Sequence, residues 1–227
     1  MQVIAMHGWC GDSRSWDPWR QAAETRGWSW QSGERGYGAL APHSPTWHSD
    51  DHPRAVIVHS LGLHLLPTAV LAKAEKLVLL ASFAAFVPAG ASGRRLRTAL
   101  KGMAAALDSP DPAPMLKQFL TEAAAPQPLA HLPIGPGLEP LPEPGRLRLR
   151  DDLARLAATA GLPDGFPDQA SVLIVEAGLD RIVEPEARAQ LRSLLPQAQI
   201  WHRAGEGHCL LGDPLVQPVL DWLGQRG

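Results

Sequence analysis

The sequence predicts an open, doubly wound, mostly parallel α/β sheet with an all-helical insertion over one edge. Three observations carry this reading. Short, nearly continuous apolar runs recur along the chain, segments of helical character separate them, and residues 88–165 carry no convincing strand pattern.

The strand candidates are 3–6, 28–31, 55–59, 76–81, 171–177 and 199–202. Ala55-Val56-Ile57-Val58 and Val172-Leu173-Ile174-Val175 are apolar at every position rather than at alternate ones. Strands covered on both faces read this way, as in a parallel sheet packed between helices. The first helix is expected over 16–25, after Ser15, with Pro18 in its first turn and Gly27 beyond its end. Two more follow Pro185 and Asp213-Pro214, over 186–195 and 215–223, the second with a capping aspartate and a proline at the first helical position.

Residues 1–87 and 166–227 therefore form the α/β core, and 88–165 forms a helical cap. Within the cap, amphipathic patterns predict helices over 96–107, 115–124 and 151–160, joined by Pro-rich links such as 126–144. A disordered loop is the alternative for this stretch, because long structureless loops in compact domains are either functional or disordered.

With 227 residues, 45% hydrophobic and 19% charged, the chain has enough apolar surface for one core with a small subdomain. The formal net charge of −2 gives no field that would recruit nucleic acid or an anionic membrane. No apolar run approaches the roughly 20 residues of a membrane-spanning helix, and the N-terminus reads as a strand rather than a secretory signal. The expectation is a cytoplasmic monomer with Cys10 and Cys209 as free thiols. No metal-ligand spacing is present, so neither a metal nor another cofactor is expected.

In open α/β sheets, ligands bind at the carboxyl ends of the strands. The first strand candidate is followed by His7-Gly8-Trp9-Cys10-Gly11, the third by Ser60-Leu61-Gly62, the fifth by Gly178-Leu179-Asp180-Arg181, and the sixth by Gly205-Glu206-Gly207-His208. A serine hydroxyl becomes nucleophilic when an imidazole takes its proton, and a carboxylate must hold that imidazole in the useful tautomer. Ser60, His208 and Asp180 supply that set at one rim. The oxyanion of an acyl-transfer intermediate needs backbone donors. The N–H of Leu61, following the serine at a helix start, and the N–H of Trp9 are the candidates.

The order Ser…Asp…His and the segments HGW, HSLG, LDRIV and GEGH resemble the landmarks of the α/β-hydrolase superfamily. The likeness covers 1–87 and 166–227. The HGW opening, the Gly36-Tyr37-Gly38 loop and the short chain are most similar to small carboxylesterases, among them the pimeloyl-carrier-protein methyl ester esterases of biotin synthesis. This resemblance implies a serine ester hydrolase that works through an acyl-enzyme without a cofactor. Two features depart from the family pattern: Val58 stands where G-x-S-x-G has its first glycine, and Pro67 falls seven residues into the expected elbow helix, where it costs about 3 kcal/mol or a kink.

Several other residues have structural readings. Asp180 can serve as a turn cap, Glu176 lies within a strand run, and Glu184 begins a helix. His7 is expected to shape the oxyanion loop, and strand alternation turns His59 away from Ser60. His64, His131 and His202 read as ordinary surface or core residues. Cys10 and Cys209 read as small buried hydrophobes, while Trp9 is placed to wall an acyl pocket. In the cap, Arg94, Arg95, Arg97 and Lys101 form one basic cluster and Arg146, Arg148, Arg150 and Arg155 a second. A solvated face balanced by acids such as Asp151 and Asp152 accounts for them. The functional alternative is that these clusters, Arg94, Arg95 and Arg97 foremost, contact a substrate carboxylate or an acidic partner such as an acyl carrier protein. Three activities fit the chain: hydrolysis of a small or carrier-linked ester, thioester hydrolysis or menaquinone-pathway-type lyase chemistry on the same triad, and non-catalytic binding by a retained fold.

Overall fold

The structure is a computed structural model that describes residues 1–48, 53–132 and 135–225. Six parallel strands form one sheet in the order β2-β1-β3-β4-β5-β6. They are β1 (Gln2–Met6), β2 (Ser29–Gly33), β3 (Arg54–His59), β4 (Lys76–Leu80), β5 (Ser171–Ala177) and β6 (Gln199–Arg203). All six lie within two residues of their expected positions.

The apolar runs divide between the two faces as strand alternation requires. On one face Val3, Ala5, Ala55, Ile57, Leu173 and Val175 pack against α1 (Asp17–Thr25) and α7 (Asp213–Gly224). On the other, Ile4, Met6, Val56, Val58, Leu79 and Ile174 meet α2 (Thr68–Leu71), α6 (Pro185–Leu194) and the cap helices. The cap comprises α3 (Gly90–Leu107), α4 (Ala113–Ala124) and α5 (Glu143–Ala158). Among the described residues no helix is long and apolar enough to cross a membrane.

Four local expectations change, the simplest being that α3 begins at Gly90, six residues before its expected start. The stretch expected as one helix over 16–25 is a 3-10 turn, Ser13–Trp16, leading into α1, because the side chain of Asp12 accepts from the Arg14 N–H and caps the chain earlier than Ser15 would. Helix α5 begins at Glu143, eight residues before the expected start. Pro144 occupies its first turn, where a missing N–H costs nothing, so Arg146, Arg148 and Arg150 are helical. Pro67 does not kink an elbow helix, because the elbow is only a 3-10 turn, Ser60–His64, and Pro67 caps α2.

The cap is joined to the core by buried polar contacts. Asp152 on α5 is 1% exposed and receives Arg35 Nε and Nη2 at 2.7 and 2.8 Å and the Tyr37 hydroxyl at 2.6 Å. Burial, then the adjacent Asp152 charge and that hydrogen bond, push the Tyr37 hydroxyl well above its ordinary pKa. Arg148 donates to the Gly36 carbonyl at 3.0 Å, so the second basic cluster and the Gly36-Tyr37-Gly38 loop form one interface. Arg150 pairs with Asp108 and Arg146 with Glu143, both within the cap.

Candidate active site

The strand register lines up the ends that matter. Met6 pairs with Val58, His59 with Leu80, Leu80 with Val175, and Ala177 with Arg203. The loops after β1, β3, β5 and β6 therefore leave one edge of the sheet together. The first two leave where the chain order reverses, with β2 and β3 on opposite sides of β1. That crevice is where ligands bind in open α/β sheets.

Ser60 sits in the sharp turn between β3 and the 3-10 segment with φ +53°, a left-handed conformation that costs a non-glycine residue about 1–2 kcal/mol. Gly62 is required here, since a Cβ would overlap the Met6 carbonyl. Val58 is fully buried in the core and does not prevent the elbow from forming. A Cβ on Gly8 would lie 2.9 Å from the Ser60 Cβ, so the loop after β1 lies directly against the serine.

Asp180 explains the LDRIV segment. One carboxylate oxygen accepts the N–H groups of Ile182 and Val183 at 2.8 and 3.0 Å, which leaves the other facing His208 Nδ1 at 3.0 Å. Burial opposes ionisation of Asp180. The adjacent imidazole and these hydrogen bonds outweigh it and hold the carboxyl below its usual range. The loops after β5 and β6 are tied to each other by the Leu179 N–H donating to Glu206 O at 2.9 Å. Ser60 and His208 both line one cavity. Among the described residues no protein group engages the Ser60 hydroxyl.

The cavity also receives Trp9, Phe119, Leu120 and Leu138. Trp9 is fixed by its indole N–H to Leu149 O at 2.7 Å and by an edge-to-face contact with Phe119 at 4.8 Å between centroids. Its backbone N–H has no acceptor among the described residues. The N–H of Leu61, in the first turn after Ser60, has no intrahelical acceptor either. The loop bearing Trp9 passes through Cys10 at φ +60°. His7 Nδ1 bonds Gly8 O at 2.8 Å while its Nε2 accepts from the Arg35 N–H at 3.2 Å, which is the loop-shaping role expected of it. Cys10 is unsuited to act as a nucleophile: burial and the nearby Asp12 push its thiol up to about 12. Burial raises Cys209 as well.

Two buried groups were not anticipated from the sequence. His59 does not turn away from the site. It lines the cavity, its Nε2–H donates to His208 O at 3.0 Å, and its ring centroid lies 4.9 Å from that of His208. Because the β3 strand ends at His59, alternation no longer decides where the ring lies. Glu34 is 5% exposed, accepts the N–H groups of Ser13 and Gly36 at 2.8 and 2.7 Å, and lies 3.6 Å from His7. Burial works against its charge, but His7 and those N–H groups prevail and hold it at about 2. By contrast, Arg94, Arg95 and Arg97 stand exposed on α3 and line no part of this cavity. The inward face of α3 is taken by Gly93, Leu100 and Leu107, which leaves these arginines to solvent.

No family description and no curated protein matches the sequence. Solved structures do match the fold. An esterase from Exiguobacterium antarcticum superposes with a TM-score of 0.67 at 13% identity, covering 99% of this chain and 92% of that one. The enol-lactonase from Burkholderia xenovorans LB400 superposes with a TM-score of 0.71 at 14% identity, covering 99% and 91%. BioG from Haemophilus influenzae gives 0.58 at 12% identity, covering 92% and 89%. The chain has the α/β-hydrolase fold, and its serine, aspartate and histidine occupy the carboxyl rim of that fold.

Burial and the neighbouring His208 hold His59 down to about 3, against an ordinary 6.5, so it is neutral in the folded protein. A depressed histidine stabilises the fold fully above about 6.5, and that contribution is lost as pH falls towards about 3. His59→Gln keeps a donor for His208 O and removes the titration. Urea unfolding from about pH 7 to about pH 4 should show wild type losing several kcal/mol more than the variant. Parallel losses would remove this account of acid sensitivity.

Proposed function

We propose that the protein is a serine carboxylic ester hydrolase. One observation carries this reading: the strained Ser60 elbow opens into the same cavity as His208, whose Nδ1 is held by a doubly anchored Asp180 at 3.0 Å. Ser60 Oγ attacks the ester carbonyl carbon while His208 Nε2 takes its proton, and the Asp180 carboxylate stabilises the imidazolium. The N–H groups of Trp9 and Leu61 receive the oxyanion. Collapse of the tetrahedral adduct breaks the bond to the alkoxy oxygen, which takes the proton from His208. An acyl-Ser60 ester remains. Water, deprotonated by His208, then attacks that ester and releases the acid.

The experiment is mass spectrometry after treatment with a fluorophosphonate. The expected result is one adduct on Ser60, lost in Ser60→Ala and reduced at least a hundredfold in rate in His208→Ala. Folded protein that takes up no label at Ser60 favours the non-catalytic binder instead.

The narrower reading is a carrier-linked substrate such as a pimeloyl-carrier-protein methyl ester. It is supported by Arg94, Arg95 and Arg97, which are exposed together on α3 and have no ion-pair partner among the described residues. Replacing all three by glutamate should lower kcat/KM about tenfold or more on a carrier-linked ester and leave a small ester unaffected. Equal effects on both would remove the carrier reading. Thioester hydrolysis uses the same groups, and the thioester of a matched acyl chain belongs in the same assay.

A further inference from the structure

Ser60 and His208 come from separate loops, so their separation is set by what holds each loop. His208 is bonded at Nδ1 to Asp180 and at its carbonyl to His59 and the Leu210 N–H; among the described residues none of its hydrogen bonds reaches the Ser60 hydroxyl. Proton transfer needs heavy atoms about 2.6–3.2 Å apart in the reacting complex, and that alignment has to come from the framework. Most anchors of the His208 loop lead away from Ser60. The Leu179 N–H ties Glu206 to the loop after β5, and Trp19 Nε1, on α1, donates to Leu211 O at 2.9 Å. Gly207 packs so closely on the Ala125 carbonyl, at the end of α4, that a Cβ would overlap it.

His59 leads towards Ser60. It ends β3 immediately before the serine, is 9% exposed, and places Nε2 3.0 Å from the His208 carbonyl. A carbonyl only accepts, so Nε2 carries the hydrogen and Nδ1 the lone pair. Among the described residues no other hydrogen bond joins residues 59–64 to the His208 loop. The two rings also lie together, with centroids 4.9 Å apart and planes inclined by 55°. Burial, then the neighbouring His208, keeps His59 neutral, so it adds no second positive charge beside an imidazolium at His208. Because the His208 carbonyl also receives the Leu210 N–H, loss of the His59 donor leaves no buried acceptor unpaired there.

We infer that His59 is a positioning residue for the reaction: its Nε2–H, carried by the strand that delivers Ser60, holds the His208 backbone so that the imidazole is presented to the serine hydroxyl. The donor carries the role rather than the ring, since a hydrogen bond fixes distance and direction together. The inference rests on the ester-hydrolase reading and deepens it.

The test measures kcat and KM for p-nitrophenyl acetate, and the rate of Ser60 phosphonylation by a fluorophosphonate, in wild type, His59→Gln, His59→Phe and His59→Leu. Circular dichroism checks that each variant is folded. Glutamine keeps a donor without the ring, phenylalanine keeps a ring without the donor, and leucine has neither. The two donorless variants should lose about tenfold or more in kcat and in phosphonylation rate, with KM within about twofold of wild type. His59→Gln should stay within about threefold of wild type in every constant. If neither donorless variant folds, the rates of His59→Gln decide alone. A folded donorless variant with wild-type kcat, a folded His59→Gln as slow as about a tenth of wild type, a loss confined to KM, or failure of all three to fold overturns the inference. Wild type that takes up no label at Ser60 overturns the hydrolase reading with it, whereas labelled wild type leaves that reading standing whatever the variants do.

Discussion

The close approach of the β1 and β3 ends governs the rest of the site. Two neighbouring parallel strands whose following connections run to opposite sides of the sheet leave a crevice between their loops. That crevice becomes chemically useful only if the backbones come near enough for a serine on one loop to face backbone donors on the other. Gly62 lies against the Met6 carbonyl and Gly8 against the Ser60 side chain, so no larger residue fits at either point without movement. The backbone strain at Ser60 and Cys10 is the cost of that approach. It is offset by an extensive apolar core on both faces of the sheet.

Hydrogen bonds formed around buried charges hold the converging loops in place. Asp180 spends one oxygen on its own turn and the other on His208. Glu34 ties the loop after β2 to Ser13, and Asp152 ties that same loop to the cap through Arg35 and Tyr37. The His208 backbone is pinned from two sides, by His59 and by the Leu210 N–H. Each carboxylate has several donors, the condition under which burying a charge does not destabilise a fold. The network also links the cap to the oxyanion loop, so cavity shape and loop geometry are coupled.

The legible parts of this arrangement were those written in local pattern. Six strands could be read because β3, β4 and β5 carry continuous apolar runs, 55–58, 77–80 and 172–175, and their flanks carry turn residues. Ser60, Asp180 and His208 stood out because each lies in the loop or turn that follows a strand. What stayed hidden depends on contacts between distant segments. Asp152 looked like a surface acid balancing arginines, yet its main partner, Arg35, lies 117 residues away. His59 was misjudged because the strand period stops where the elbow begins. The early start of α5 was masked by its prolines, which are compatible with a first helical turn as well as with a loop. The cap arginines remain ambiguous for a physical reason: an exposed charge looks the same whether it meets water or a partner.

The most direct measurement of the central constraint is activity and thermal stability of Gly62→Ala on a short ester. An added methyl forces Ser60 away from the loop after β1. A displacement of about 1 Å should lower kcat/KM by about a hundredfold, with a lowered melting temperature. A variant with wild-type activity and melting temperature would contradict the view that this contact sets the geometry of the site.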